Sequence, residues 1–168
     1  MKLTFAPKNV LQIDDARICW KNFKGKRTEF NNEGDRNFHL IIPNGELAED
    51  LMNDKNEYGV GWNVKIRAPR EEGDQPFIHM LVKVKYTERS QPRAYLISGK
   101  NRVELTEDTI GMLDDINISS VSLDIRPFDG EGRFGPHRTA YLQSIYVTQE
   151  IDRLATRFAE EDDYPEEY

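Results

Sequence analysis

Short segments in which apolar and polar residues alternate dominate this chain, and turn-forming residues separate them. Alternation with a period of two gives a β-strand one apolar and one polar face, so the pattern predicts a mainly β fold. Strands are predicted at 16–23, 36–42, 61–69, 77–87, 120–128 and 138–150. The segment 93–105 is predicted as one bent strand or as a hairpin that turns at 98–101, and 129–137 as a glycine-rich loop.

Apolar residues at helical spacing interrupt this pattern in three places. They predict short helices over 44–54, with Asn44 as N-cap, over 106–116, with Thr106 as N-cap, and over 151–158. Strands of mixed length with a few short helices between them suit an OB-fold-like Greek-key barrel, and a β-sandwich with helical inserts is the alternative.

The chain ends on an acidic segment, residues 159–168, that holds six carboxylates and no basic residue. The net charge is −7, but without this segment the remaining 24 acids and 23 bases leave a body at −1. A near-neutral body can carry a basic face that acids elsewhere balance. We therefore predict one globular domain over 1–158 and a disordered acidic tail over 159–168.

The apolar segments and the cysteine content indicate where in the cell the protein is expected. There is no run of about 18 apolar residues, which predicts no membrane span, and the N-terminal segment has no apolar core typical of a secretory signal. The single cysteine, Cys19, fits a reducing compartment. A cytoplasmic protein that needs no cofactor is expected.

Two predicted strands carry positive charge on their polar faces. In 61–69, Lys65 and Arg67 lie opposite an apolar side formed by Trp62, Val64, Ile66 and Ala68. In 77–87, an apolar side formed by Ile78, Met80, Val82, Val84 and Tyr86 lies opposite Phe77, His79, Leu81, Lys83 and Lys85. Basic residues thus share a face on both strands.

Two further segments, 21–30 and 126–138, combine basic residues with phenylalanines. Cations follow the phosphates of a single strand, and each aromatic ring offers a base a stacking surface worth roughly 1–3 kcal/mol. The predicted contacts from these segments are Lys21, Phe23, Lys24, Lys26, Arg27, Phe30, Arg126, Phe128, Arg133, Phe134 and Arg138. The alternative is that the four phenylalanines anchor their loops to the core. Trp62 and Tyr86 are expected in the core, and Trp20 fits either environment.

Catalytic chemistry has little support in the sequence. The three histidines, His39, His79 and His137, are far apart in the chain and fit no metal-binding motif. No phosphate-binding loop or nucleophile triad is present. The acid pairs at 14–15 and 114–115, and Asp124, leave a Mg²⁺-dependent nuclease as a minor alternative.

Four segments, NFKGKRTEFNNEGDRNFHLIIPN, GWNVKIR, YLISGKN and AYLQSIYVT, are similar to a family of phage-encoded single-stranded DNA-binding proteins. The resemblance covers roughly residues 16 to 150 and extends to the type of tail. It implies an OB-fold that covers exposed DNA strands and a tail that recruits replication or recombination proteins. Bacterial proteins of this type usually end in a Pro-Phe pair, whereas here Pro165 precedes two glutamates and Tyr168.

Residues and resemblance together predict a sequence-independent single-stranded DNA-binding protein, not an enzyme, and leave open whether it assembles into homo-oligomers. Its tail would contact partner proteins through Glu160, Glu161, Asp162, Asp163, Glu166, Glu167 and Tyr168. A protein-interaction module without nucleic-acid binding is the main alternative.

Overall fold

The computed structural model describes residues 1–151, and within them it contains nine β-strands, one α-helix and two short 3-10 helices. The strands are β1 (Lys2–Phe5), β2 (Leu11–Asn22), β3 (Arg36–Ile42), β4 (Val64–Arg67), β5 (Phe77–Val84), β6 (Arg93–Ser98), β7 (Asn101–Leu105), β8 (Ile118–Gly132) and β9 (Gly135–Gln149). Helix α1 spans Gly45–Asn53, and the 3-10 helices span Pro7–Asn9 and Ile110–Asp114. The predicted helix at 151–158 and the acidic tail lie outside the described residues.

Five strands close into a barrel. β2 pairs antiparallel with β3 and with β8, β3 pairs with β5, and β8 pairs with β9. A single parallel pair, Lys83 with Tyr141, joins β5 to β9 and completes the ring. This partly open Greek-key barrel confirms the prediction of a mainly β, OB-fold-like architecture.

The remaining strands extend the barrel at its edges. β1 pairs with β2, and β4 pairs with the beginning of β5. β6 pairs in parallel with β9 from Ser144 onward, after the β5–β9 pair at Tyr141. β7 forms a hairpin with β6. This hairpin confirms one of the two alternatives for 93–105, with the turn at Gly99 and Lys100.

The barrel interior holds the apolar side that alternation predicts for β5, together with apolar side chains of β3. The buried side chains there are Phe38, Leu40, Ile42, Ile78, Met80, Val82 and Val84. Trp62 is buried beside α1, as expected, and Tyr86 packs against the core. Ile66 is 56% exposed, so its expected burial is wrong. Ala68 is exposed as well. The strand predicted over 61–69 is only Val64–Arg67, and it lies at the sheet edge outside the ring, so no second layer among residues 1–151 covers Ile66.

Helix α1 forms where the sequence predicts it, and the side chain of Asn44 accepts a hydrogen bond from the amide of Leu47 at 2.9 Å. The helix predicted over 106–116 is instead a 3-10 helix, Ile110–Asp114. Thr106 does not cap it, because the Thr106 amide donates to Oγ1 of Thr109 and closes a separate turn.

The loop predicted at 129–137 is replaced by a long hairpin. β8 and β9 stay paired from Asp129 with Arg138 to Gly132 with Gly135, and Arg133 and Phe134 form the two-residue turn. Because glycines have no side chain, this segment shows no alternation of apolar and polar residues, yet its backbone still pairs. Gly135, which follows the turn, has a positive φ of 105°. The hairpin therefore projects beyond the length that the apolar pattern indicates.

Candidate nucleic-acid interface

The outer side of β5 carries the candidate site. Because Ile78, Met80, Val82 and Val84 point into the barrel, the intervening side chains of Phe77, His79, Leu81, Lys83 and the following Lys85 point outward. We call this outward row the β5 face. At about 3.3 Å per residue it is roughly 26 Å long.

Neighbouring strands widen the β5 face. Directly paired residues of adjacent strands share a face, and β4 pairs Lys65 with His79 and Arg67 with Phe77. On the opposite side of β5, strand β3 pairs His39 with Leu81. Two cations and a second imidazole therefore border the row.

A β-bulge in β2 brings Trp20 to the same surface. Cys19 pairs with His39 and Asn22 with Asn37, so β2 contains one more residue than β3 between these two pairs. Trp20 has a φ of 48°, a region that costs free energy for a residue with a side chain. Bulges redirect side chains, and here the indole ends 53% exposed on the outside.

Trp20, His39, Phe77 and His79 form an aromatic cluster on this surface, in which Trp20 is exposed and the other three rings are half-buried. The indole of Trp20 meets the rings of His39, Phe77 and His79 edge-on, with centroids 5.0, 5.4 and 5.1 Å away. Phe77 stacks on His79 at 5.2 Å. Trp20, Arg67 and Phe77 also line a cavity of about 330 Å³. Flat rings beside a guanidinium are the groups that contact bases and phosphates of a single strand.

The two histidines of this cluster share a hydrogen bond between their rings. Their Nδ1 atoms are 3.0 Å apart, so one nitrogen donates and the other must be unprotonated. Burial lowers the pKa of His39, and the charge of His79 lowers it further. Burial also lowers the pKa of His79, as do the charges of Arg67 and Lys65. The fold therefore favours the neutral pair.

This pair predicts a pH dependence of stability. Because both pKa values are lower in the folded state than the ordinary 6.5, the unfolded chain binds more protons below that pH, and stability falls as the pH drops below about 6.5. We expect chemical denaturation to show that the free energy of unfolding decreases less from pH 8 to pH 5.5 for His79→Asn than for the wild type. Equal losses in the two proteins would contradict the coupling.

A groove lies at the other end of the β5 face, away from the cavity beside Trp20. It has a volume of about 490 Å³, and among its lining residues are Phe30, Leu81, Lys83, Lys85 and Tyr141. Phe30 comes from the β2–β3 loop and is 89% exposed. On the adjoining β8–β9 hairpin, the guanidinium of Arg126 lies 5.1 Å from the ring centre of Tyr141, and Phe128 is exposed beside it.

Seven of the fifteen predicted contact residues lie on this surface or adjoin it. Lys65, Arg67, Lys83, Lys85 and Phe30 lie on the β5 face or in its groove, and Arg126 and Phe128 adjoin it. Lys26 and Arg27 are exposed on the β2–β3 loop. Arg133 and Phe134 are exposed at the tip of the β8–β9 hairpin.

Phe23 is corrected to a core residue. It is fully buried, and its ring stacks on Phe38 with centroids 5.2 Å apart. The β2 strand ends at Asn22, and the carboxylate of Asp114 accepts hydrogen bonds from the amides of Phe23 and Lys24. This capped turn directs the ring inward, so it offers no surface to a base.

Lys21 and Lys24 hold the same turn in place. The Nζ of Lys21 donates to the carbonyls of Leu113 and Ile116 at 2.8 and 3.0 Å. Lys24 pairs with Asp115 through Nζ. Both ammonium groups are thus engaged by the segment around the second 3-10 helix, in contacts that the sequence does not predict.

Arg138 is also corrected, because only 4% of it is exposed. Its guanidinium donates to Asp129 at 2.8 and 3.2 Å and to the carbonyl of Asp54 at 2.8 Å. It also lies 4.9 Å from the ring centre of Trp62. Arg138 therefore ties β9 to β8 and to the end of α1, away from any phosphate.

Three of the acids considered for a metal site, Asp114, Asp115 and Asp124, have structural partners. Asp114 caps the Phe23 turn, Asp115 pairs with Lys24, and Asp124 accepts from Oγ of Ser144 at 3.2 Å. Within residues 1–151, no three His, Cys, Asp or Glu side chains are grouped to hold a metal ion. No helix in this range is long and apolar enough to cross a membrane.

The sequence alone did not identify the aromatic cluster or Tyr141 as site residues. His39 and His79 are 40 positions apart, yet the β3–β5 pairing brings their rings into contact. The available signal was the alternation that places Phe77 and His79 on the same side as Lys83 and Lys85. Tyr141 carries no such signal, because only ring closure brings it beside Lys83.

A partly open barrel of this strand order, whose outer face combines cations with aromatic rings, has the architecture of the OB-fold class. The family model described as "Putative phage ssDNA-binding domain" matches residues 2–167, and the chain belongs to that family. Comparison with curated proteins gave no match.

Two solved structures share the fold. The single-stranded DNA-binding protein from bacteriophage Enc34 in complex with ssDNA has 16% identity, a TM-score of 0.53, and coverage of 89% of this chain and 92% of that one. A C-terminally truncated form of the Enc34 protein has 18% identity, a TM-score of 0.51, and coverage of 90% and 97%. At these identities the likeness supports the barrel architecture.

Proposed function

We propose that this protein binds single-stranded DNA without sequence preference through the β5 face. The observation that carries the proposal is the continuous surface from the aromatic cluster around Trp20 to the groove at Lys83 and Lys85. Family membership supports it, and the Enc34 protein of similar fold is described as a complex with ssDNA. Binding would be non-catalytic and would need no cofactor.

Each part of the surface has a distinct task. Lys65, Arg67, Lys83 and Lys85 neutralise phosphates, because their charged groups are exposed in the row or on the strand beside it. Trp20 and Phe30 offer ring faces on which bases stack. Because every base has a flat face, this arrangement recognises a single strand and no particular sequence. A further proposed set extends the footprint: Lys26, Arg27, Arg126, Phe128, Arg133 and Phe134.

The test is a titration of labelled poly-dT at several salt concentrations, with duplex DNA as competitor. We expect affinity that falls steeply with salt and little competition from the duplex. Lys83→Ala should reduce the slope of log affinity against log salt by about 1, since one phosphate contact is lost. Lys2→Ala, on β1 away from the β5 face, is the charge-matched control. Absence of binding at low salt would reject the proposal and favour a protein-interaction module.

We further propose that the protein coats exposed strands during phage DNA replication or recombination in the host cytoplasm. The six carboxylates of 159–168 would compete with DNA for the basic surface, and bound DNA would release the tail to partner proteins, with Tyr168 as an apolar anchor. The charge split between tail and body supports this model. Assembly into homo-oligomers along the strand fits a coating role.

Deletion of 159–168 tests the tail. We expect tighter binding to poly-dT, because a competing anion is removed, and loss of recruitment of replication or recombination proteins. Replacing the six acids with Asn and Gln keeps the length and should raise DNA affinity to the same extent. Unchanged or weaker DNA binding in both variants would contradict the competition model.

A further inference from the structure

A second aromatic group, in which Tyr146 is exposed and Tyr95 half-buried, lies outside the β5 face. Tyr95 of β6 and Tyr146 of β9 stack with ring centres 4.8 Å apart and an interplanar angle of 22°. The guanidinium of Arg102, on β7, lies 4.3 Å from the centre of Tyr95 and 5.1 Å from that of Tyr146. Its Nη2 also donates to the hydroxyl of Tyr146 at 3.0 Å. We call these three residues the tyrosine–arginine cluster.

The cluster continues the surface on which the proposed DNA site lies. β5 and β6 use the same edge of β9 one after the other, with Lys83 beside Tyr141 and then Tyr95 beside Tyr146. From Tyr141 to Tyr146 is five residues, or about 17 Å of strand. A strand that leaves the groove at Lys83 therefore has a continuous outer surface to follow along β9.

The charges around the cluster favour contact with bases over contact with phosphates. Glu104 pairs directly with Tyr95, and the carboxylate of Asp124 lies between the two sites, where it accepts from Ser144. These anions oppose a phosphate but leave neutral bases unaffected. The guanidinium of exposed Arg102 and the ring of exposed Tyr146 are planar and suit stacking.

We propose that the tyrosine–arginine cluster is a second stacking subsite, which takes one or two bases of a single strand already bound to the β5 face. The inference rests on the proposed function, because the β5 face provides the primary contacts. The subsite extends the footprint for strands longer than the β5 face. At about 3.4 Å per stacked nucleotide, that face spans roughly eight nucleotides.

The test compares dT8 with dT16 as labelled oligonucleotides at trace concentration, using the full-length protein. We expect Arg102→Ala to leave dT8 affinity unchanged and to weaken dT16 binding about 5-fold or more, the equivalent of one lost stacked base. Arg102→Lys keeps the charge but loses the plane, so it should lose affinity as Arg102→Ala does. Lys2→Ala is the control for charge, and thermal unfolding checks that each variant is folded.

The outcomes separate the subsite from the proposed function. If Arg102→Ala binds both oligonucleotides with wild-type affinity, the subsite is overturned. An equal loss of affinity for dT8 and dT16 overturns it as well. Full recovery in Arg102→Lys would show a charge contact in place of stacking and would also overturn it. If the wild type binds neither oligonucleotide, the proposed function itself fails.

Discussion

Arg138→Ala is expected to lower the free energy of unfolding by about 3–5 kcal/mol, the usual loss when one partner of a buried ion pair is removed. The guanidinium makes hydrogen bonds with both oxygens of Asp129 and with the Asp54 carbonyl, and it covers one face of Trp62. Partial burial raises the pKa of Asp129, but hydrogen bonds from Arg138 and Asn56 outweigh this effect, and the pKa lies below its ordinary value. Truncation would leave this carboxylate charged without its cation.

Chemical denaturation at neutral pH measures this effect, and Arg133→Ala is the matched control. Arg133 lies in the exposed turn of the same hairpin, so its loss should change stability by about 0.5 kcal/mol or less. Arg138→Lys should recover only part of the stability, because an ammonium group cannot donate to both carboxylate oxygens in the planar geometry. A stable Arg138→Ala protein with weak DNA binding would instead place Arg138 in the interface.

Trp20→Ala is expected to weaken binding of poly-dT by about 5- to 150-fold, which corresponds to one stacking contact of roughly 1–3 kcal/mol. The indole is about half exposed and packs only edge-on against His39, Phe77 and His79. Its removal therefore takes away little buried surface, and stability should change far less than affinity. Trp20→Phe keeps an aromatic face and should retain most of the affinity.

The control for Trp20 is Phe5→Ala, because Phe5 is an exposed aromatic residue on β1, outside the β5 face. Fluorescence anisotropy of labelled poly-dT measures the affinities, and the thermal midpoint of each variant is recorded beside them. Equal affinity losses for Trp20→Ala and Phe5→Ala would refute a specific stacking role. So would a Trp20→Ala protein that binds as the wild type does.

Local patterns in the sequence determined the mainly β fold, the position of helix α1 and the outward direction of the basic residues on β5. Alternation in β5 is enough to place Lys83 and Lys85 outside and Met80 and Val82 inside, because the direction of a side chain along a strand depends only on its own position. The N-cap at Asn44 is likewise local, since its partner is the amide three residues on. The mainly β fold and its basic strand face follow from such short-range rules.

Only the tertiary structure decided which aromatic and basic residues reach the surface. Phe23 and Arg138 lie in basic, aromatic segments like Phe30 and Arg133, yet contacts with residues distant in sequence bury the first two. Trp20 faces outward because β2 has one residue more than β3 at the bulge, a fact of pairing between two strands. Register and ring closure depend on contacts between distant segments, and no local periodicity records them.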